Sequence, residues 1–149
     1  MLNKLIKFFY MKEMMNRPKI LVVDSDKNII SAFSNYLRKK NYSMTGVNSV
    51  DAGLNMIRQL KFNLMITDIR VNSEFGTGFI SKVKETQKNL PIIAITSYPD
   101  QINESDLKPY GADYLFIKPL ELSELNKAIE SSLKLNLINN NDHKQNNAG

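Results

Sequence analysis

Short apolar runs alternate with stretches of helical period along most of the chain. Ile20 to Val23 form the first run, which ends at Asp24. Ile29, Ile30, Phe33 and Leu37 then share one helical face, with Asp26 placed to cap the helix start and Asn41 its end. A weaker run covers Met44 to Val47, and Ser49 can cap a helix that buries Val50, Leu54 and Ile57. Leu64 to Thr67 form the third run, ending at Asp68. A loop with Gly76 and Gly78 follows, then a helix presenting Phe79, Ile80 and Val83. Pro91 opens the fourth run, whose residues Ile92 to Ile95 lead to Thr96 and Ser97. A polar helix from about Gln101 to Tyr110 is expected to stop at Gly111. Tyr114 to Ile117 form the fifth run, ending at Lys118 and Pro119. Leu122, Leu125, Ile129 and Leu133 mark a final amphipathic helix.

Nearly unbroken β-branched runs read as strands buried on both faces, which is the signature of a parallel sheet covered by helices and joined by right-handed crossovers. The fold class is therefore α/β, a doubly wound five-stranded parallel sheet. Ligands in such sheets sit beyond the carboxyl ends of the strands, where the strand order reverses. Four of the five runs end there in groups that handle phosphate or metal: Asp24 with Asp26, Asp68, Thr96 and Lys118. Taken singly, each has a bland explanation as a cap, a strand-end hydroxyl or a solvated charge. Their conjunction on one edge of one sheet points to a site.

If the first and third strands are neighbours, Asp24 and Asp68 lie side by side. Two carboxylates about 4 Å apart repel by about 4 kcal/mol at an effective dielectric near 20. Such a pair calls for a cation, and hard oxygen ligands select Mg²⁺ or a similar ion. A hydroxyl and a lysine across the pocket could then hold phosphoryl oxygens.

Composition narrows the alternatives. At 149 residues, with 42% hydrophobic and 23% charged, the chain supports one well-buried domain with tails. Without cysteine there is no disulfide scaffold, thiol catalysis or thiolate zinc site. The formal charge of +5 is concentrated at the start: residues 1–19 hold five basic residues against Glu13, a net +4, leaving 15 basic and 14 acidic beyond. The domain itself is close to neutral, so no basic face for nucleic acid is expected. Leu2, Leu5, Ile6 and Phe9 share a helical face opposite Lys4 and Lys7, a pattern compatible with a membrane-surface helix but too short and lysine-broken to span a bilayer. The favoured expectation is that residues 1–17 are disordered or lie upstream of a true start at Met14 or Met15, and that the asparagine-rich residues 136–149 form a disordered tail.

With these motifs placed, residues 18–135 resemble the receiver domains of two-component response regulators. The stretches that carry the resemblance are KILVVDSDKN, LMITDIR, PIIAITS and GADYLFIKPL. The resemblance implies a flavodoxin-like (βα)5 sheet of order 2-1-3-4-5 and a cis peptide between Lys118 and Pro119. It implies Asp68 as phospho-acceptor, with Thr96 and Lys118 as the assisting hydroxyl and lysine. Mg²⁺ would be held by Asp24, Asp68 and the backbone carbonyl of Arg70, with Ser25 or Asp26 as a further ligand. The expected function is a stand-alone cytoplasmic switch module, not an enzyme, phosphorylated by a histidine kinase or phosphotransfer protein. It would act on a downstream protein as a monomer or weak dimer, without nucleic acid and without a membrane span.

Three departures stand out. Ser25 replaces the second of two adjacent acids, Asn72 stands where proline is common, and Leu115 replaces an aromatic, with Tyr114 one position earlier on the opposite strand face. Ser25 and Leu115 motivate a second reading, a degenerate receiver that binds partners without phosphorylation. A third, from another class, is a haloacid-dehalogenase-type phosphatase suggested by Asp24-Ser25-Asp26, though no later strand end carries the further acidic pair that chemistry needs.

Overall fold

The computed structural model describes residues 2–71 and 74–146. Asn72 lies outside the described residues, as do 147–149 of the tail. The central sheet is formed by β1 (Lys19–Val23), β2 (Ser43–Val47), β3 (Leu64–Asp68), β6 (Ile92–Thr96) and β7 (Tyr114–Ile117), all parallel. Their order is β2-β1-β3-β6-β7, which is 2-1-3-4-5 when only these strands are counted. Between β3 and β6 the chain adds an antiparallel pair of two-residue strands, β4 (Arg70–Val71) and β5 (Glu74–Phe75), where the sequence suggested only a loop.

Alternation along the strands builds two cores. Leu21, Val23, Met65, Ile92 and Ala94 face one side, against α3 (Val50–Gln59), α4 (Thr77–Thr86) and α5 (Glu104–Leu107). Ile20, Val22, Leu64, Ile66, Ile93 and Ile95 face the other, against α2 (Lys27–Lys39) and α6 (Leu122–Asn146). Each fully buried aliphatic side chain contributes about 1.5–3 kcal/mol, which is why the interiors of the central strands, Ile20–Val23, Leu64–Ile66 and Ile92–Ile95, are apolar throughout.

Local signals set the helix boundaries. The Asp26 carboxylate accepts from the Asn28 N–H at the start of α2, and the Ser49 hydroxyl accepts from Ala52 N–H at the start of α3. At the end of α2, Asn41 adopts a left-handed φ of 63°. Its N–H donates to Arg38 and that of Tyr42 to Leu37, closing off the last carbonyls. The polar helix expected from Gln101 begins only at Asn103, whose side chain exchanges hydrogen bonds with Asp106 in a capping box. It tightens at Lys108–Tyr110 into a 3₁₀ turn, where Pro109 has no N–H to offer an α-helix.

Both ends of the described chain are helical. Residues Leu2–Met15 are helical (α1) and exposed wherever their side chains are described. At the other end α6 runs on to Asn146, and Asn136, expected in the tail, is buried and accepts from Asn63 Nδ2 at 2.9 Å. Leu122, expected on the apolar face of α6, is instead 54% exposed, because it is the first helical residue and lies beyond the edge of the core.

Gly111 turns the chain from the 3₁₀ segment into β7 with φ +109°, and a Cβ there would come within 2.6 Å of Lys84 Cγ. Gly111→Ala should therefore cost about 1–2 kcal/mol in urea unfolding, through left-handed strain in the folded state. An unchanged midpoint would contradict this account of the turn.

Candidate functional site

Parallel register decides what meets at the carboxyl edge. Val23 pairs with Thr67, Asp68 with Ile95, and Thr96 with Ile117. Asp24, one residue beyond β1, therefore lies beside Asp68, the last residue of β3. Lys118, one residue beyond β7, reaches across from the far side. Its Nζ donates to Asp24 Oδ2 at 2.9 Å and to Asp68 Oδ2 at 2.6 Å. The remaining carboxylate oxygens are tied to the backbone: Asp24 Oδ1 accepts from Asp26 N–H at 2.9 Å, and Asp68 Oδ1 from Arg70 N–H at 2.8 Å. Both acids are buried, at 3% and 8% exposure. Charged groups this deep persist only when paired.

The electrostatics follow from that burial. Desolvation raises the Asp24 carboxyl above its ordinary value, outweighing the Asp26 N–H and Lys118, which pull it down. Burial alone would lower the Lys118 ammonium, but its hydrogen bonds to Asp68 and Asp24 outweigh that and raise it above 10.5. One ammonium thus serves two acids.

These residues open into a cleft of about 360 Å³ lined by Asp24, Ser25, Asp26, Asp68, Arg70, Ser97, Tyr98 and Lys118. Asp26 lines it while its carboxylate stays on the α2 N-terminus. The β3–α4 loop is drawn close under the site: Gly76 N–H donates to the Ile69 carbonyl at 2.6 Å, where a Cβ on Gly76 would stand 2.8 Å from the same oxygen. Lys118 and Pro119 are joined by a cis peptide.

Of the sequence-chosen residues, Asp24, Asp68 and Lys118 meet directly, and Ser25, Asp26 and Arg70 surround them. Thr96 does not line the cleft. It is buried at the end of β6, and its hydroxyl accepts from Tyr98 N–H at 2.9 Å. Leu115 packs into the core on the α3–α4 side, whereas Tyr114 and Phe116 pack into the opposite one, so no aromatic ring of β7 lies on the Leu115 face. Sequence reasoning missed the side chains of Arg70 and Tyr98. The Arg70 guanidinium carbon stands 4.7 Å from the centre of the Tyr98 ring, a cation–π contact bridging the loops after β3 and β6. Their shared offset, two residues beyond Asp68 and Thr96, was the available signal.

A sequence profile of the response regulator receiver domain matches residues 20–130. The chain belongs to this family. Among its relatives is the transcriptional regulatory protein ZraR of Escherichia coli (strain K12), 30% identical over 115 residues, which cover 76% of this chain and 26% of that protein. Another is the transcriptional regulatory protein DltR of Streptococcus agalactiae, 33% identical over 110 residues, covering 72% of this chain and 48% of the relative. The chain thus spans about a quarter to a half of these relatives. The crystal structure of a CheY-like response regulator receiver domain protein from Methanospirillum hungatei superimposes with a TM-score of 0.78 at 25% identity, covering 83% of this chain and 99% of that one. Membership of this family sets aside the dehalogenase-type reading. Receiver domains are in general non-catalytic signalling modules that typically bind Mg²⁺ at the phosphorylation site. Among the described residues of this receiver no helix is long and apolar enough to cross a membrane.

The donor set fits a hard divalent cation, though sparingly. It offers two buried carboxylates held by one ammonium, with the hydroxyl-bearing Ser25 and Ser97 lining the same cleft, and among the described residues no group of three or more acids converges. Replacing the ammonium should expose the tension between the acids. Lys118→Met is expected to lower unfolding free energy by about 2 kcal/mol near neutral pH, a figure discounted for partial exposure. Because Lys118 titrates higher in the folded protein, its contribution is complete below 10.5 and fades as pH climbs through the raised value. The gap between the two proteins in urea titrations should close over that alkaline window. A gap that is constant or widens there would be inconsistent with the bridge.

Proposed function

We propose that this receiver accepts a phosphoryl group on Asp68 from a phosphohistidine on a histidine kinase or phosphotransfer protein, and so relays a signal to a downstream protein. The observation that carries the reading is the single ammonium of Lys118 within hydrogen-bond distance of both Asp24 and Asp68 at the carboxyl edge of the sheet. An Asp68 oxygen attacks phosphorus, the phosphorus–nitrogen bond to the donor histidine breaks, and the electron pair leaves with the imidazole. Arg70 N–H, already on Asp68 Oδ1, fixes the carboxylate so that Oδ2 faces Lys118. The ammonium can then turn from the carboxylates to the phosphoryl oxygens, exchanging one anion for another without leaving its pocket.

Thr96, buried just outside the cleft, would join by a local exchange. Its hydroxyl holds the Tyr98 N–H, and giving up that bond for a phosphoryl oxygen would move the loop carrying Ser97 and Tyr98. Mg²⁺ would be held by Asp24, Asp68 and the Arg70 carbonyl, with Ser25 or Asp26 as a further donor. When bound it supplies positive charge against the incoming phosphoryl group. The role is that of a substrate for phosphoryl transfer and a switch, not of an enzyme. A second reading, a partner-binding receiver that is never phosphorylated, draws its support from Ser25 and Leu115.

Incubation with acetyl phosphate and Mg²⁺ separates the two. Intact mass should gain one phosphoryl group that maps to Asp68 and is absent in Asp68→Asn. Ser25→Asp should tighten Mg²⁺ by about tenfold, the effect of restoring one carboxylate to a hard-cation site. No mass gain in either the parent or Ser25→Asp at saturating Mg²⁺ would favour the phosphorylation-independent reading.

A further inference from the structure

Helix α1 is a large apolar feature that the receiver site does not use. Its Leu2, Leu5, Ile6, Phe8, Phe9 and Tyr10 are 55–72% exposed, on a helix of 14 residues. A contiguous group of this kind calls for a cover. At 100° per residue Leu2, Leu5, Ile6 and Phe9 fall within one sector, flanked by Phe8 on one side and Tyr10 on the other, while Lys4 and Lys7 occupy the opposite sector. Lys12, Arg17 and Lys19 continue the positive charge toward the domain. Glu13 is the single acid in the first 19 residues and closes the apolar sector at the last turn.

We propose that α1 is a peripheral membrane-binding helix that lies in the plane of an anionic lipid surface and holds the receiver there. Charge complementarity selects this occupant. A basic segment of net +4 attached to a domain of net +1 fits a negatively charged surface. Through Tyr10 the helix sets leucine, isoleucine and phenylalanine on one face, lysine on the other and aromatic residues at the boundary, as an interfacial helix does, while in the last turn Glu13 joins the apolar side and Met11 and Met15 the lysine side. At about 21 Å the helix is too short to cross a bilayer. A second copy of α1 fits poorly. Leu2, Leu5 and Phe9 follow an a/d spacing, but the next seam position is Lys12, the run is less than two heptads long, and Glu13 alone would have to answer the lysines of a partner helix. The receiver core does not cover α1 either, since every described α1 side chain is exposed.

The full chain should co-float with phosphatidylcholine vesicles that contain phosphatidylglycerol and not with phosphatidylcholine alone. Lys4→Gln and Lys7→Gln should each weaken partition by about fivefold, and added salt should weaken it further. Leu5→Glu with Phe9→Glu should abolish it, while urea unfolding of the domain stays unchanged because α1 adds nothing to either core. Sedimentation velocity without lipid should show no α1-dependent association. Equal binding to both vesicle types, binding to neither, or self-association lost in the Leu5→Glu/Phe9→Glu variant would each overturn the proposal.

Discussion

Two carboxylates buried side by side at the end of a parallel sheet cannot both stay charged without a cation between them. In this receiver Lys118 fills that place, donating to Asp24 and Asp68 from the opposite edge of the site. Much of the architecture serves the encounter. Parallel pairing of β1 with β3 brings the acids together, and β7, joined through β6, carries the lysine to the same edge. Two continuous cores hold the strands so firmly that the register has no freedom to slip. On the proposed reading the site is poised: its positive charge would already sit where phosphoryl oxygens arrive, and the anions now paired with it would receive phosphorus and metal.

What this chain changes relative to its family lies around that triad. Ser25 leaves that position of the rim without a carboxylate, so on the proposed reading a divalent cation would depend on Asp24 and Asp68 and compete with Lys118 for both. Asp26 lines the same cleft with one carboxylate oxygen already committed to the α2 N-terminus. Leu115 removes the ring from the face of β7 that packs toward α4. If Asp68 is phosphorylated as proposed, readout would fall to the loop after β6, where Tyr98 is tied to Thr96 through its N–H and to Arg70 through its ring.

The parts legible in the sequence are those governed by local chemistry. Doubly buried strands read as unbroken apolar runs, and Asp26, Ser49 and Asn41 mark helix ends with side chains that act within a few residues. Asp24, Asp68 and Lys118 were legible because strand ends of a parallel sheet share an edge. The structure supplied what depends on contacts between distant segments. Two-residue pairing of Arg70–Val71 with Glu74–Phe75 is too short to leave a periodic signal, and the Arg70–Tyr98 contact leaves only a shared offset from two strand ends, which does not by itself announce a contact. Thr96 ends β6 as its apolar run implied, yet it does not line the cleft and its hydroxyl accepts from a backbone N–H, a rotamer choice that composition cannot reveal. Asn136 looked like tail because it is polar, and it proved to be a buried partner of Asn63.

The central claim is that one edge of the sheet is built to exchange the Lys118 bridge for a phosphoryl group. Amide NMR of the full chain during titration with Mg²⁺ and then beryllofluoride, a mimic of the phosphoryl group, tests it most directly. The N–H groups of Asp26 and Arg70 report on the two carboxylates, and that of Tyr98 reports on the Thr96 hydroxyl. All three should shift saturably on addition of the mimic, with no response in Asp68→Asn. Saturation with both reagents that leaves these three amides unmoved would contradict the account.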